Sequence, residues 1–343
     1  MKKLLSKIHN EGFRWNDIII FPFLMSYVLI LLGQLIGILL FYMIFGNPHD
    51  YDGLTSTFSM YLPFLGIWCV VLLYLLFKRN RPIYKALWTR PKGNTFLMFV
   101  YGLLIGGGLN GLCALAAWLH KDIFLYYDSF KPLPLFLILV TVLIQSSAEE
   151  LICRGFLYQR LRRSFKNPLV AIIGNSVFFG LIHLGNDGVG PLAILDICLS
   201  GLLFSLMVYY FDSIWCAFAA HTAWNYMQNI ILGLPNSGLV STFSIFKLDA
   251  ATAMDSAFYN VAFGVEGTVF SVIELAIACL VMFLIGRRRQ QRDTQIWPKP
   301  VVAPEMPQQE AVPYTQQQDN PYIQQQYNNI PNDQNNQSNQ NNQ

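Results

Sequence analysis

The sequence predicts an all-α integral membrane protein, a polytopic bundle of about eight transmembrane helices. Three observations lead there. Of 343 residues, 54% are hydrophobic and only 13% are charged, a balance foreign to ordinary soluble domains. The apolar residues gather in runs of about the 20 residues that a bilayer requires. Basic residues then fall in alternate connections between those runs, the pattern of the positive-inside rule.

In order, the runs are 18-45, 57-77, 95-119, 132-159, 168-184, 190-211, 213-233 and 268-286. The first is too long for the apolar region of a cleaved signal and no small-residue cleavage site follows it, so it reads as a span. The fifth and sixth are short or interrupted by glycine, as expected of helices that line a cavity rather than lipid. Lys2, Lys3, Lys7 and Arg14 precede the first run. Lys78, Arg79, Arg81, Lys85, Arg90 and Lys92 separate the second from the third. Arg160, Arg162, Arg163 and Lys166 follow the fourth, and Arg287, Arg288, Arg289 and Arg292 follow the eighth. With eight spans all of these lie on one side, opposite His49, Asp50, Asp52, Asp187, Asp249, Asp255 and Glu266. Lys121, Lys131 and Lys247 are isolated exceptions. A multi-pass protein of the cell membrane with both termini cytoplasmic is the expectation.

Residues 1-289 then form one transmembrane helical domain. From 290 the composition turns to Gln, Asn and Pro, and 290-343 is expected to be a disordered cytoplasmic tail. The six cysteines (Cys69, Cys113, Cys153, Cys198, Cys216 and Cys279) all sit in apolar runs without CxxC spacing. They read as small buried apolar residues, not as a disulfide framework. The net charge of +3 is small, and the lipid bilayer, not nucleic acid, is the expected surroundings.

The stretch Ser146-Ser147-Ala148-Glu149-Glu150-Leu151-Ile152-Cys153-Arg154 stands apart. It continues an apolar run and precedes the basic cluster at Arg160, so two carboxylates lie within the bilayer. Ionised groups there cost about 2.5 to 3.5 kcal/mol each and mark function by default. Glu150 and Arg154, four apart on a helix, can pair on one face. Glu149 projects about 100° away, free to face a cavity as a general base. Further along, Phe179-Gly-Leu-Ile-His183 and His221-Thr-Ala-Trp-Asn225 bring two more ionisable groups. His221 and Asn225 share one helical face and suit the stabilisation of an oxyanion, or the histidine suits a metal. Counted from the loops, Glu149 and His221 fall at mid-depth and His183 nearer the outer end of its span. Gln34, Asn110, Asp196 and Glu274 lie singly in spans, where hydrogen bonding between helices accounts for them, with Asp196 the first to add to a site. The run Gly106-Gly107-Gly108 suits close packing or a kink.

The order EExxxR, FxxxH, a glycine-containing helix and HxxxN resembles the CPBP family of intramembrane endopeptidases. That family comprises the type II CAAX prenyl proteases and their bacteriocin-processing or immunity relatives. The resemblance covers about Leu135 to Gln228, including Leu199-Ser-Gly-Leu-Leu-Phe204. It implies a bundle enclosing an intramembrane catalytic cavity, with a core at about 132-233, that hydrolyses a peptide bond of a membrane-associated peptide or protein terminus. Glu149 would activate water, His183 would position it, and His221 and Asn225 would stabilise the oxyanion, with Glu150 and Arg154 in support. Members have been described as metalloproteases and as glutamate-dependent proteases. HExxH is absent here, and Glu149, His183 and His221 are the residues that would hold zinc, the alternative being no metal at all. A catalytically idle immunity or assembly partner keeping the fold is one rival reading. A proton-coupled transporter is another, against which the absence of an inverted repeat counts.

Loop charge and span parity together make the topology testable. Reporters fused after Arg292 and within 78-94 are expected to report cytosol, and an external signal at either position would overturn the count of eight.

Overall fold

Long apolar runs become long helices, and small polar residues cap the starts of several of them. The structure, a computed structural model, describes residues 8–10, 13–14, 17–88, 93–288 and 296–297. Helix α1 spans Ile20–Phe45. Helix α2, Gly53–Tyr61, starts where the Asp52 carboxylate accepts from the Thr55 amide. A short 3₁₀ turn at Leu62–Phe64, containing Pro63, joins it to α3, Leu65–Leu75. Helix α4, Phe96–Leu119, is capped by Thr95. Helix α5, Pro132–Glu150, opens on proline, whose missing N–H costs nothing in a first turn. It runs through a π-helical stretch, Leu151–Leu157, into α6, Tyr158–Ser164. Helices α7, Pro168–Leu181, and α8, Pro191–Phe211, follow. Helix α9, Ile214–Asn225, capped by Ser213, also widens into a π-helical stretch, Tyr226–Ile231. Helix α10, Val269–Arg287, closes the bundle. One two-stranded antiparallel ribbon, β1 Leu125–Tyr127 with β2 Phe246–Leu248, ties the connection before α5 to the one after α9.

This is an all-α polytopic membrane protein. Among the described residues, six helical segments are long and apolar enough to cross a membrane: Ile20–Phe45, Gly53–Leu75, Phe96–Leu119, Pro132–Ser164, Pro191–Phe211 and Val269–Arg287. The other two expected runs are helical but shorter, as α7 and as α9 with its π-helical extension. Exposed Leu31, Leu35, Leu104 and Ile277 face outward, where lipid tails rather than water would meet them. Of the cysteines, Cys69 is exposed and Cys198 only partly covered, whereas the other four are buried and all six are unbridged.

The basic connections meet at one end of the bundle. Asp17, 1% exposed, accepts from Arg79 Nη2 and Arg160 Nη2, both at 2.8 Å. The Asn10 amide donates to the carbonyls of Arg162, Arg163 and Phe165, tying the N-terminal segment to the end of α6. Arg163 stacks 4.9 Å from the ring of Trp297, whose Nε1 donates to the Gln159 carbonyl. Ile296 is buried beside it, so packing extends past the expected boundary at 289. Apart from Ile296 and Trp297, the expected tail 290-343 lies outside the described residues, as do Lys2, Lys3, Lys7, Arg90, Lys92, Arg289 and Arg292.

Two helix lengths set the depth of the site. Helix α7 has 14 residues, about 21 Å at 1.5 Å per residue, against a hydrocarbon core of about 30 Å. His183, just past its end, therefore reaches the depth of Glu149, which lies about 22 Å back along the helix from Ser164. The mismatch in counted depth is removed by the shortness of α7.

One close helix contact also serves the site. A Cβ at Gly102 would collide with the Cys216 carbonyl oxygen, and one at Gly106 with that of Ala220. Gly108, in contrast, has open space around it. Glycine thus lets α4 lie directly against the backbone of α9 one residue before His221. Gly106→Val is expected to force the two apart at a cost of at least about 1–3 kcal/mol. Thermal unfolding in detergent should register it as a lowered midpoint, and an unchanged midpoint would show that the contact does not position α9.

Candidate functional site

At the end of α5 two adjacent carboxylates diverge, as helical geometry requires. Glu150 turns into the bundle. Its Oε1 accepts from Arg154 Nη1 at 2.8 Å and from His221 Nδ1 at 3.1 Å, and both Glu150 and Arg154 are fully buried. Arg154 Nη2 donates to the Gly201 carbonyl of α8 at 2.7 Å. Its guanidinium stacks 4.6 Å from the Phe179 ring and 5.3 Å from that of Phe204. The Asn175 amide, oriented so that its oxygen meets the donors around it, accepts from Arg154 Nε at 3.3 Å.

Glu149 turns the other way, into a cavity of about 240 Å³. Its Oε1 accepts from Gln145 Nε2 at 2.7 Å, one turn earlier on α5. Its Oε2 is buried and has no hydrogen-bond partner among the described residues. Facing that oxygen are His221 Nε2 at 3.8 Å and His183 Nε2 at 3.9 Å. The far side of each ring is anchored, since His183 Nδ1 lies 2.7 Å from the Phe179 carbonyl oxygen and His221 Nδ1 lies on Glu150. A carbonyl and a carboxylate oxygen can only accept, so the proton sits on Nδ1 in both rings. In its neutral form each ring then presents an Nε2 lone pair toward Glu149. With both rings in that form three acceptors converge on one small space, and what suits that space is a donor or a cation.

Asn225, at the end of α9, lines the same cavity. Its Nδ2 donates to Gln145 Oε1 at 3.0 Å and to Ser146 Oγ at 3.3 Å, and its Oδ1 accepts from Asn236 Nδ2 at 3.2 Å. A relay of amides thus runs from the α9–α10 connection to the Glu149 carboxylate. Sequence reasoning singled out Asn225 but missed Gln145, which had a signal: a polar side chain four residues before Glu149 in an apolar run. It also missed Asn236, Ser237 and Glu266, which line the cavity from irregular connections and carry no periodic signal. Glu266 is 5% exposed and accepts from Trp224 Nε1 at 2.7 Å and from both the amide and hydroxyl of Ser237 at 3.0 Å. Burial raises its carboxyl above the ordinary range, against the opposing pull of those donors.

Of the single polar residues in spans, Asn110 donates to Gln228 and Glu274 accepts from the Cys113 thiol, both between helices. Gln34 and Asp196 instead line the cavity.

A metal can be tested against these residues. Two imidazole Nε2 atoms, each with its Nδ1–H anchored behind it, and one carboxylate oxygen are suitable zinc donors. Their separations of 3.8 and 3.9 Å exceed the edge of a zinc tetrahedron, about 3.4 Å for bonds near 2.0–2.1 Å. Among the described residues no set of three His, Cys, Asp or Glu side chains is gathered to hold a metal as it stands. The chemistry fits, and a few tenths of an ångström of inward movement would be needed.

The buried ion pair gives a direct test. Arg154→Ala leaves Glu150 without its charge partner inside the bundle, a loss of about 3–5 kcal/mol. Low yield and a depressed unfolding midpoint are expected, and Arg154→Ala melting like the wild type would show that the pair does not hold the helices.

Comparison with known proteins gives a match over part of the chain. Residues 131–227 match the model of the Rce1-like type II CAAX prenyl endopeptidases. Over 127 residues the chain is 31% identical to the uncharacterized protein YyaK of Bacillus subtilis (strain 168), covering 36% of this chain and 42% of that protein. The chain thus spans less than half the length of that curated relative. No solved structure matches. The segment holding Glu149, Glu150, Arg154, His183, His221 and Asn225 therefore carries the pattern of the type II CAAX prenyl endopeptidases, as its three motifs resemble.

Proposed function

We propose that this protein is an intramembrane endopeptidase that hydrolyses a peptide bond of a membrane-associated peptide or protein terminus. The observation that carries the reading is the Glu149 carboxylate. One oxygen is held by Gln145 and the other is left without a donor between two anchored imidazoles. A water between these groups would donate one hydrogen to Glu149 Oε2 and one to the Nε2 of His183. Its oxygen lone pair would be left to attack a substrate carbonyl carbon. Glu149 takes the water proton as the C–O bond forms and returns it to the amide nitrogen as the C–N bond breaks. The products are an amine and a carboxylic acid, which releases its remaining proton to solvent. His221, protonated at Nε2 from solvent before the attack while Nδ1–H stays on Glu150, would donate to the developing oxyanion and keep its proton through the step. Asn225 would reinforce it by shifting an Nδ2 hydrogen from Gln145 or Ser146.

A metal-assisted form of the same hydrolysis is the second reading, favoured by the two Nε2 lone pairs that face one carboxylate oxygen. Glu149, His183 and His221 would hold the ion, which would supply Lewis-acid polarisation of the carbonyl and a more acidic water. We take the metal-free form as the leading one because the three atoms stand wider than zinc requires. The bundle would sit in the cell membrane with the basic end, and so both termini, toward the cytosol.

Glu149→Gln keeps the shape and the hydrogen bond to Gln145 but removes the base. Turnover is expected to fall by about 10² or more without loss of folding, and Asn225→Ala to fall by roughly 10² to 10³ with substrate binding retained. The readout is the set of membrane-protein termini in cells making the wild type or Glu149→Gln, where identical termini would overturn the proteolytic reading. Elemental analysis of active protein separates the two forms: stoichiometric zinc together with loss of cleavage on chelation would favour the metal form, and cleavage surviving complete metal removal the other.

A further inference from the structure

Beside the groups assigned to hydrolysis, the same cavity holds a carboxylate to which that chemistry gives no task. Asp196 projects from α8 and is 1% exposed. It lines the cavity, and its Oδ1 has no hydrogen-bond partner among the described residues. A carboxylate oxygen buried without a donor is costly, and the cost is removed only when a donor arrives. The Ser271 hydroxyl and the Gly267 amide adjoin the carboxylate, yet Oδ1 itself takes no hydrogen bond from them, and Ile197, Ser200 and Phe204 of α8 line the cavity with it. Glu266 already accepts three hydrogen bonds. The cavity is lined by Glu149, Asp196 and Glu266, and by no Lys or Arg among the described residues. Arg154 is committed to Glu150 and Gly201 and stacks on the Phe179 and Phe204 rings.

We infer that Asp196 forms a subsite for a basic group of the substrate, a Lys or Arg side chain bound in the cavity beside the scissile peptide. This rests on the cavity being a peptide site, and it deepens that reading by naming what the site selects. A cationic side chain would supply the missing donor to Asp196 Oδ1 and a countercharge to a wall that is otherwise acidic. A substrate placing its own carboxylate there would meet three acids and no cation, and would be rejected. The selectivity is therefore for a positive residue within the bound segment, not for a free acidic terminus.

The test separates binding from cleavage. Full-length Glu149→Gln protein in detergent micelles is offered an equimolar pool of N-palmitoylated peptides of randomised sequence, and the bound fraction is read by mass spectrometry. Lys and Arg are expected to be enriched about tenfold at one position of the bound peptides, equivalent to about 1.4 kcal/mol. Adding Asp196→Asn, which keeps the shape and removes the charge, should bring that enrichment close to unity. A second variant guards against misfolding by the first. Ser200→Lys, one turn along on the same helix and cavity wall, supplies an internal cation to Asp196 and should abolish the preference for Lys and Arg equally. Bound peptides without basic enrichment would overturn the subsite, as would enrichment that survives both variants. Incubating the wild type with the same pool tests hydrolysis separately. Basic enrichment in the bound fraction with no cut peptides would sink the proteolytic reading and leave the subsite standing.

Discussion

Everything at the centre of this bundle leans on one ion pair. Glu150 and Arg154 are both fully buried, in a place where each would be expensive alone and where burial as a pair brings little net stability. What the pair supplies is position. A single oxygen, Glu150 Oε1, accepts from both Arg154 and His221, so the ring of His221 is oriented by a carboxylate that is itself oriented by a guanidinium. The guanidinium in turn reaches the Gly201 carbonyl on α8 and lies against Phe179 of α7 and Phe204 of α8. Four elements are thereby registered around Glu149 without any of them touching its free oxygen. In surroundings where lipid offers no alternative hydrogen bonds, that registration is costly to lose.

The two helices that bear the site share a second feature. α5 widens into a π-helical stretch directly after Glu150, and α9 does the same directly after Asn225. Such insertions shift the side chains that follow and recur at functional sites. Here they fall where a helix changes its task. Before the insertion α5 presents Gln145 and Glu149 to the cavity, and within it Arg154 folds back to Glu150. On α9, His221 and Asn225 precede the insertion. Gln228 and Asn229 within it hold the Pro235, Leu234 and Leu239 carbonyls of the following connection.

Much of this was legible from residue types and spacing, and the boundary of legibility has physical causes. Apolar runs of bilayer length became helices because lipid leaves the backbone no other way to satisfy itself. The Glu150–Arg154 pair and the shared face of His221 and Asn225 follow from four-residue spacing. The depth of His183 did not, because counting residues from loops assumes that each span crosses fully, and α7 does not. Gln145 was hidden in plain sight by its neighbours, Ser146 and Ser147, which drew the start of the motif one residue late. Asn236, Ser237 and Glu266 had no signal at all. They lie in a connection of turns and irregular backbone whose positions are fixed by hydrogen bonds made only once α9 is in place. The same holds for Ile296 and Trp297, two residues in a polar tract whose packing on α6 no periodicity announces.

The carboxylates that line the cavity divide by how they are satisfied, and the division separates scaffold from action. Glu266 accepts three hydrogen bonds from Trp224 and Ser237 and acts as a strut joining α9 to the connections around it. Glu149 Oε2 and Asp196 Oδ1 accept none from the described residues. In a site of low dielectric such atoms are unstable unless something that enters the cavity completes them. The first faces two imidazole nitrogens and is completed by whatever reacts. The second lies among Ser271, Gly267 and Glu266, and on the proposed reading a basic group of the substrate completes it. Their partners also come from different parts of the chain. The groups around Glu149 all lie within 131–227, the stretch that matches the endopeptidase family. Opposite them, Gln34 of α1, Tyr61 of α2 and Glu266 before α10 contribute walls from outside that stretch. On the proposed reading, substitutions in those walls would alter which peptide fits without disturbing the ion pair that sets the geometry around Glu149.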